Sequence, residues 1–574
     1  MPGPTRRENR IEFDLRVPMR DGITLSADIY HPVDSSGETK KYPVILARTP
    51  YQKLSERMLV PAKYFAERGY VFVAMDVRGR GDSDGIFVPY LNEGLDGYDA
   101  IEWCASQPWS DGNVGTIGGS YPGCIQWLTA LQHPHHLRAM VVRVTPSDPF
   151  VEMPTGLPSP MHLCWLHYVS GRVNQLMEAV DWERVYEHLP LITMDERAGR
   201  RNPHWRANIE HPQLDDYWAP LCYQNKFDQV DVPVLHISGW YDDEQIGTPL
   251  NYVGMTTRGA TPAARNSQRL IMGPWGHVVN TESKLGEVDF GPQALIDLRA
   301  EELRWFNRWL KGYKSVTSAA EEFPVRIFVM GANEWRDDRE WPLARTQWTP
   351  FYLHSGGRAN SRFGDGTLST TKPGDEPTDT YYYDPARPIP FITAPTSSQV
   401  GGPDDYSAIE RRDDVLVYVS EPLTEEVEVT GPILVDLYAS SSAPDTDFMA
   451  KLVDVWPSGF VQRLCDGMVR ARFREGMDRP SLIEPGRVYH YSIDSWNTAQ
   501  VFKAGHRIGL EISSSAFPKY DRNLNTGAPL GVTTEMAVAE QWIYHDVEHP
   551  SAMVLPLIPA ASEADAAYEI FTHE

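Results

Sequence analysis

The segment Gly115-Thr116-Ile117-Gly118-Gly119-Ser120-Tyr121-Pro122-Gly123 puts a serine inside a glycine-rich turn. Val114 to Ile117 reads as a short strand and the residues after Pro122 as the start of a helix, so Ser120 falls on a strand-to-helix bend. A serine held there stands above the sheet. The backbone N–H that follows it points where an attacked carbonyl would place its oxyanion, and the helix N-terminus adds partial positive charge. Small neighbours are needed because so tight a turn leaves no room for side chains. The GxSxG pattern is not met to the letter: Pro122 takes the fifth position and the glycine comes one later, at Gly123. Taken alone, the segment also reads as a glycine turn with an incidental serine.

A nucleophilic serine needs a base, and the base needs a carboxylate to orient it. Two segments later in the chain supply them. Ile237-Ser238-Gly239-Trp240-Tyr241-Asp242-Asp243-Glu244 and Gly273-Pro274-Trp275-Gly276-His277 each follow an apolar strand-like run. The order serine, acid, histidine is that of the α/β-hydrolases. All three lie at strand ends, outside which open α/β sheets bind ligands. Spacing alone does not choose between Asp242 and Asp243. Among the other histidines, His133, His135 and His136 read as a helix-end loop without HExxH spacing. His236 reads as a core residue and His506 as a loop or structural residue of the C-terminal part.

The elements that must position these residues alternate. A hairpin is predicted around Asp21-Gly22, then strands at 42–47, 70–75, 114–117 and 137–144, with helices at 61–68 and 96–106 between them. That is the pattern of a parallel sheet covered on both faces. It lapses between about 146 and 230, a stretch rich in Pro, Trp, His and Met with a helix-like piece at 180–188. It resumes at Val232–Ser238 and Arg269–Met272, followed by a broad-faced amphipathic helix from about Pro292 to Lys311 with Gly312 as its stop. After about 320 the chain reads as short strands separated by Pro, Gly, Asp and Asn, among them 325–331, 414–420, 433–441, 450–457 and 507–515. This points to an all-β sandwich or jelly roll.

Composition bounds the function. The chain has 574 residues with 53 basic and 78 acidic side chains, a formal charge of −25, which argues against a general phosphate-backbone binder. No stretch of about 18 apolar residues suggests a membrane helix. The first ten residues lack the apolar core of a signal peptide. The five cysteines (104, 124, 164, 222, 465) contain no CxxC, so neither a disulfide framework nor a zinc site is expected, and a cytoplasmic location is.

Together these motifs resemble the cocaine-esterase and X-Pro dipeptidyl-peptidase superfamily of α/β-hydrolases, with the cocaine-esterase branch nearest. The resemblance is carried by Gly118-x-Ser120-Tyr121-x-Gly123, Trp240-Tyr241-Asp242 and Gly273-Pro274-Trp275-x-His277. Pro18–Gly22, Arg48-Thr49-Pro50-Tyr51, Asp76–Gly85 and Phe517–Asn523 support it. It implies an α/β-hydrolase body with an inserted helical cap and a C-terminal jelly roll. The segmentation above divides the chain the same way: body 1–147 and 231–318, cap 148–230, jelly roll 319–574.

The resemblance further implies Ser120 as nucleophile, Asp242 as acid and His277 as base, with the Tyr51 hydroxyl and the Tyr121 N–H forming the oxyanion hole and no metal or organic cofactor. The expected partner is a small-molecule ester or amide, not nucleic acid or a membrane, and a homodimer stays open. At the position two after the acid, cocaine esterases carry an aromatic residue that helps hold a benzoyl group; here it is Glu244. The related α-amino-acid ester hydrolases carry an acidic residue there, within a carboxylate cluster that receives the substrate ammonium. The next residue here is Gln245, so that cluster is expected to be partial. Trp165 of the cap is expected to wall the acyl pocket. Two readings follow, an esterase of small acyl esters and an amidase, acylase or aminoacyl hydrolase. A third, a non-catalytic binding protein, is disfavoured by the complete Ser, Asp and His set.

Overall fold

The computed structural model describes residues 10–32, 40–313, 323–395 and 401–559. Ten strands form the first sheet: β1 (Ile11–Pro18), β2 (Thr24–Tyr30), β3 (Tyr42–Thr49), β4 (Val71–Asp76), β5 (Ser110–Gly119), β6 (Leu137–Arg143), β7 (Val234–Gly239), β8 (Gln268–Gly273), β9 (Val325–Val329) and β10 (Glu334–Asp338). Their order is β1-β2-β4-β3-β5-β6-β7-β8-β9-β10. The strands from β4 to β9 run parallel, and antiparallel strands lie at both edges.

Side-chain alternation along the parallel strands builds two cores. Val44, Leu46, Val73 and Met140 pack on one face with Ile101, Trp127 and Leu128, from helices α2 (Glu93–Ser106) and α3 (Tyr121–Ala130). Ile45, Phe72, Ile117 and Ile237 pack on the other with Phe65 of α1 (Glu56–Ala66) and Phe306 and Leu310 of the helix Leu298–Lys311. That last helix is shorter than the sequence suggests. Asp297 caps it through the Ala300 N–H at 3.0 Å, so the preceding Pro292–Ala294 forms only a 3₁₀ turn. Gly312 ends it with φ 68°.

Between β6 and β7 the chain leaves the sheet for short helices, including Pro149–Glu152, His162–Tyr168, Trp182–Tyr186 and Pro203–Glu210. They share a core of their own built on Trp182, Tyr186, Met194 and Trp205, against which Phe517 and Leu530 of the C-terminal part also pack. Arg80, fully buried, ties this insertion to the body. Its Nε donates to the Pro50 carbonyl at 2.7 Å, Nη1 to the carbonyls of Val169 (3.0 Å) and Gly171, and Nη2 to Asn174 Oδ1 at 2.7 Å.

From Gln347 to Ile558, eleven mostly antiparallel strands form the second sheet system around a core that includes Leu437, Leu452, Ile493, Leu510 and Met553. One expectation is corrected. Residues 325–331 read as the first strand of this β part. Instead β9 pairs in parallel with β8 (Val325 opposite Leu270) and β10 returns beside it, so both extend the first sheet. An apolar run such as Val-Arg-Ile-Phe-Val states that a strand forms, not which edge it joins. Met330 then bridges to Gln500 of the second sheet, so the two sheets meet there. All five cysteines are buried and none is in a disulfide. No helix among the described residues is long and apolar enough to cross a membrane.

Candidate active site

Ser120 sits between β5 and α3 with φ 61° and ψ −132°. This is a strained conformation for a residue with a side chain, of the kind that costs about 1–3 kcal/mol and persists only where the surroundings enforce it. The surroundings here do. Its N–H donates to the carbonyls of Arg143 and Val144, both at 3.0 Å. A Cβ on Gly118 would stand 2.6 Å from Pro122, and one on Gly123 2.6 Å from Thr145 Oγ1. The displaced glycine is thereby explained: Pro122 rests on Gly118, and the side that must be bare against the end of β6 belongs to Gly123.

The loops after β7 and β8 are fastened to each other. Trp240 N–H donates to the Gly273 carbonyl (2.9 Å) and Tyr241 N–H to the Trp275 carbonyl (3.0 Å). A Cβ on Gly239 would fall 2.1 Å from that same Trp275 oxygen. The indoles of Trp240 and Trp275 anchor outward, on the carbonyls of Phe328 (2.7 Å) and Ala294 (3.1 Å). Acid and base loops are therefore one rigid unit.

Within that unit His277 Nδ1 lies 2.8 Å from Asp242 Oδ1. Asp242 is buried, and its carboxylate also accepts from Ser238 Oγ at 2.6 Å and from the Glu244 N–H at 3.1 Å. Asp243 comes within 3.1 Å of the same His277 nitrogen, but its Oδ1 makes no well-formed hydrogen bond. Both aspartates thus reach the histidine, and the fixed hydrogen-bonded partner is Asp242. Among the described residues, Asp242, Asp243 and His277 are also the one group of three whose metal-ligand-type atoms converge within 4.8 Å.

Burial by itself favours neutral imidazole. The adjacent Asp243 and Asp242 carboxylates outweigh it and hold the His277 pKa well above the ordinary value of 6.5.

A cavity of about 970 Å³ opens over these residues. Ser120, Tyr51, Tyr121, His277, Glu244 and Trp165 all line it, while Asp242 lies behind His277. Burial pushes the Tyr51 pKa up to about 12, against the pull of Trp165, His277 and Ser120, so its hydroxyl stays a donor. Tyr121, as the first residue of α3, has no intrahelical acceptor for its N–H. Its hydroxyl is fixed by Glu93 Oε1 at 2.7 Å, and Glu93 is in turn paired with Arg48 at 2.5 Å.

Glu244 keeps Oε2 enclosed without a hydrogen-bond partner among the described residues. Burial pushes its pKa well up against the pull of His277, and Glu152, Asp243 and Asp242 push the same way. Glu152, a cap residue on the same cavity wall, is pushed up to about 8, first by burial. Gln245 points elsewhere: it is buried and exchanges hydrogen bonds with the Asn497 backbone of the second sheet system.

Sequence reasoning missed Glu152, which stands on a four-residue helix with no readable periodicity, and Lys519, which with Trp496 and Tyr520 forms the cavity's wall from the C-terminal part. Of the other histidines singled out in the sequence, His136 Nδ1 pairs with Glu102 (2.7 Å), His236 with Gln268 (3.0 Å) and His506 with Asp454 (2.8 Å).

Residues 21–279 match the X-Pro dipeptidyl-peptidase (S15 family), and residues 318–554 match the X-Pro dipeptidyl-peptidase C-terminal non-catalytic domain. The chain is 37% identical over 581 residues to the cocaine esterase of Rhodococcus sp. (strain MB1 Bresler), covering 96% of this chain and 98% of that one. It belongs to the cocaine-esterase family of α/β-hydrolases.

Like that family, it is a serine hydrolase with a C-terminal jelly roll. Two solved structures share the architecture over 96% of the chain. One is an α-amino acid ester hydrolase (27% identity, 97% of its length, TM-score 0.84). The other is an aminopeptidase from a marine sediment Thaumarchaeota archaeon (25% identity, 96% of its length, TM-score 0.83).

Two carboxylates beside one imidazole set a pH dependence. A general base must be neutral to act, so the ascending limb of kcat/KM against pH is expected above the ordinary histidine value. Asp243→Asn removes one stabiliser of the imidazolium and moves that limb toward lower pH. A limb that stays in place in Asp243→Asn contradicts this electrostatic picture.

Proposed function

We propose that the protein hydrolyses small acyl esters through an acyl-enzyme on Ser120. Ser120 Oγ attacks the ester carbonyl while its proton passes to His277. Asp242, bonded to Nδ1, fixes the imidazole's orientation and stabilises the imidazolium. The Tyr51 hydroxyl and the Tyr121 N–H hold the oxyanion of the tetrahedral intermediate. Its collapse expels the alcohol, which leaves with the proton returned by His277. Water then attacks the acyl-Ser120 ester, again deprotonated by His277, and releases the acid.

The observation that carries this reading is the strained Ser120 facing, in one cavity, a histidine held by a buried aspartate. Ser120→Ala is expected to abolish both hydrolysis of p-nitrophenyl esters and labelling by a fluorophosphonate probe, at unchanged thermal stability. Undiminished labelling of that variant would sink the assignment.

Glu244 and Glu152 favour a second reading, in which the preferred acyl group carries an α-ammonium. A carboxyl enclosed without a partner is poorly placed as a structural residue, because burying it unpaired is costly. A cation between Glu244 and Glu152 would return both to the ionised state. The names of the two structural relatives, an amino acid ester hydrolase and an aminopeptidase, concern substrates of that kind. Comparing an aminoacyl ester with its des-amino analogue tests the idea. Wild type is expected to prefer the aminoacyl ester at least about tenfold in kcat/KM, in line with a charged hydrogen bond of about 1.5–3 kcal/mol. Glu244→Gln should erase most of that preference, and an unchanged ratio would refute the ammonium role.

A further inference from the structure

The aromatic stack beside Ser120 connects the two oxyanion donors. The Trp165 ring lies near-parallel to Tyr121 (centroids 5.9 Å, 29°) and to His162 (5.2 Å, 28°). Tyr90 continues the stack beyond Tyr121 (4.4 Å, 28°). Trp165 also makes one polar contact: its Nε1–H donates to the Tyr51 hydroxyl oxygen at 2.9 Å. An indole N–H can only donate, whereas a phenol oxygen accepts and donates. With the indole donating into that oxygen, the phenolic hydrogen must turn away from Trp165. On that side the hydroxyl shares the cavity with Ser120.

We propose that Trp165 is the positioning residue of the oxyanion hole: its N–H fixes the Tyr51 hydroxyl with the hydrogen aimed at the reacting carbonyl, while its ring braces Tyr121, the residue that supplies the second donor. The proposal rests on the roles given above to Ser120 and Tyr51. The donated hydrogen bond also polarises the phenol, and a hydroxyl that accepts a bond gives a stronger one. Trp165 belongs to the cap and Tyr51 to the body. Two further cap contacts, Asn174 Nδ2 on the Tyr51 carbonyl (3.2 Å) and the Tyr168 ring (5.8 Å), grip the same tyrosine. The oxyanion hole is therefore complete only with the cap seated, a role beyond walling an acyl pocket.

The test uses p-nitrophenyl acetate and phenylboronic acid, a ligand that forms a tetrahedral adduct on an active serine. Two variants remove the N–H: Trp165→Phe, and replacement of Trp165 by benzothienylalanine, which keeps the bicyclic shape and guards against a folding defect in the first. Removing an oxyanion donor outright costs about 10²–10³ in kcat, and misdirecting one is expected to cost about tenfold, with KM within twofold. Phenylboronic acid affinity should fall by the same factor. In a Tyr51→Phe background the Trp165 replacements should cost nothing further. Wild-type kcat in the benzothienylalanine enzyme would overturn the proposal, as would a change in KM alone or a full loss persisting in Tyr51→Phe. If Tyr51→Phe itself leaves kcat intact, the oxyanion role of Tyr51 fails. If Tyr51→Phe collapses kcat while both Trp165 replacements do not, only the positioning role fails.

Discussion

The molecule's chemistry depends on the backbone of one residue. Ser120 is held in a conformation that a residue with a side chain avoids, and the neighbouring structure is arranged to prevent its relaxing. The end of β6 accepts its N–H twice and is itself bent, with Val144 at φ 38°. Gly118 and Gly123 give up side-chain volume to Pro122 and Thr145. Helix α3 begins at once, at Tyr121. Strain of this kind is local, but the restraint is global, because the parallel sheet fixes where β5 and β6 end relative to each other.

The second constraint is electrostatic. The overall charge of −25 says nothing about the cleft. What matters there is that Asp242, Asp243, Glu244 and Glu152 gather around one histidine in poorly solvated surroundings. Asp242 and Asp243 raise the proton affinity of His277, Glu244 and Glu152. Lys519 lines the same cavity from the C-terminal part. Burial lowers its pKa to about 8 despite the Asp466 carboxylate beside it, and the rings of Trp496 and Tyr520 flank its ammonium at 4.6 and 5.0 Å. The cavity thus carries carboxylates beside His277 and a paired lysine on its C-terminal wall.

Much of this was legible in the sequence. The parallel strands announce themselves as apolar runs. The loops that hold Ser120, Asp242 and His277 each follow one, and six of the seven singled-out residues line one cavity. What the sequence withheld depends on distance in the fold. Asp242 and Asp243 are adjacent in sequence, and only the hydrogen bonds from Ser238 and Glu244 separate their roles. Val325–Val329 looks like any strand of the β part, yet it finds its partner in β8. Gln245 reads as a lapse from a carboxylate cluster and serves instead to join body to β domain through Asn497. Arg80 and Glu93 leave no pattern at all: each is a buried charge whose meaning lies in the carbonyls, tyrosine or arginine it meets. The N–H of Trp165 is likewise invisible until the cap is folded over Tyr51.

The central claim is that Ser120, on its strained turn, carries the acyl group between the two halves of the reaction. The most direct measurement is to mix the protein with p-nitrophenyl acetate, quench in acid within the first turnover, digest, and locate the added acetyl group by mass spectrometry. The account predicts stoichiometric acetylation of the peptide containing Ser120, with a burst of p-nitrophenol of equal amplitude. An acetyl group on another residue, or turnover with no burst and an unmodified Ser120 peptide under conditions where deacylation is slow, would contradict it.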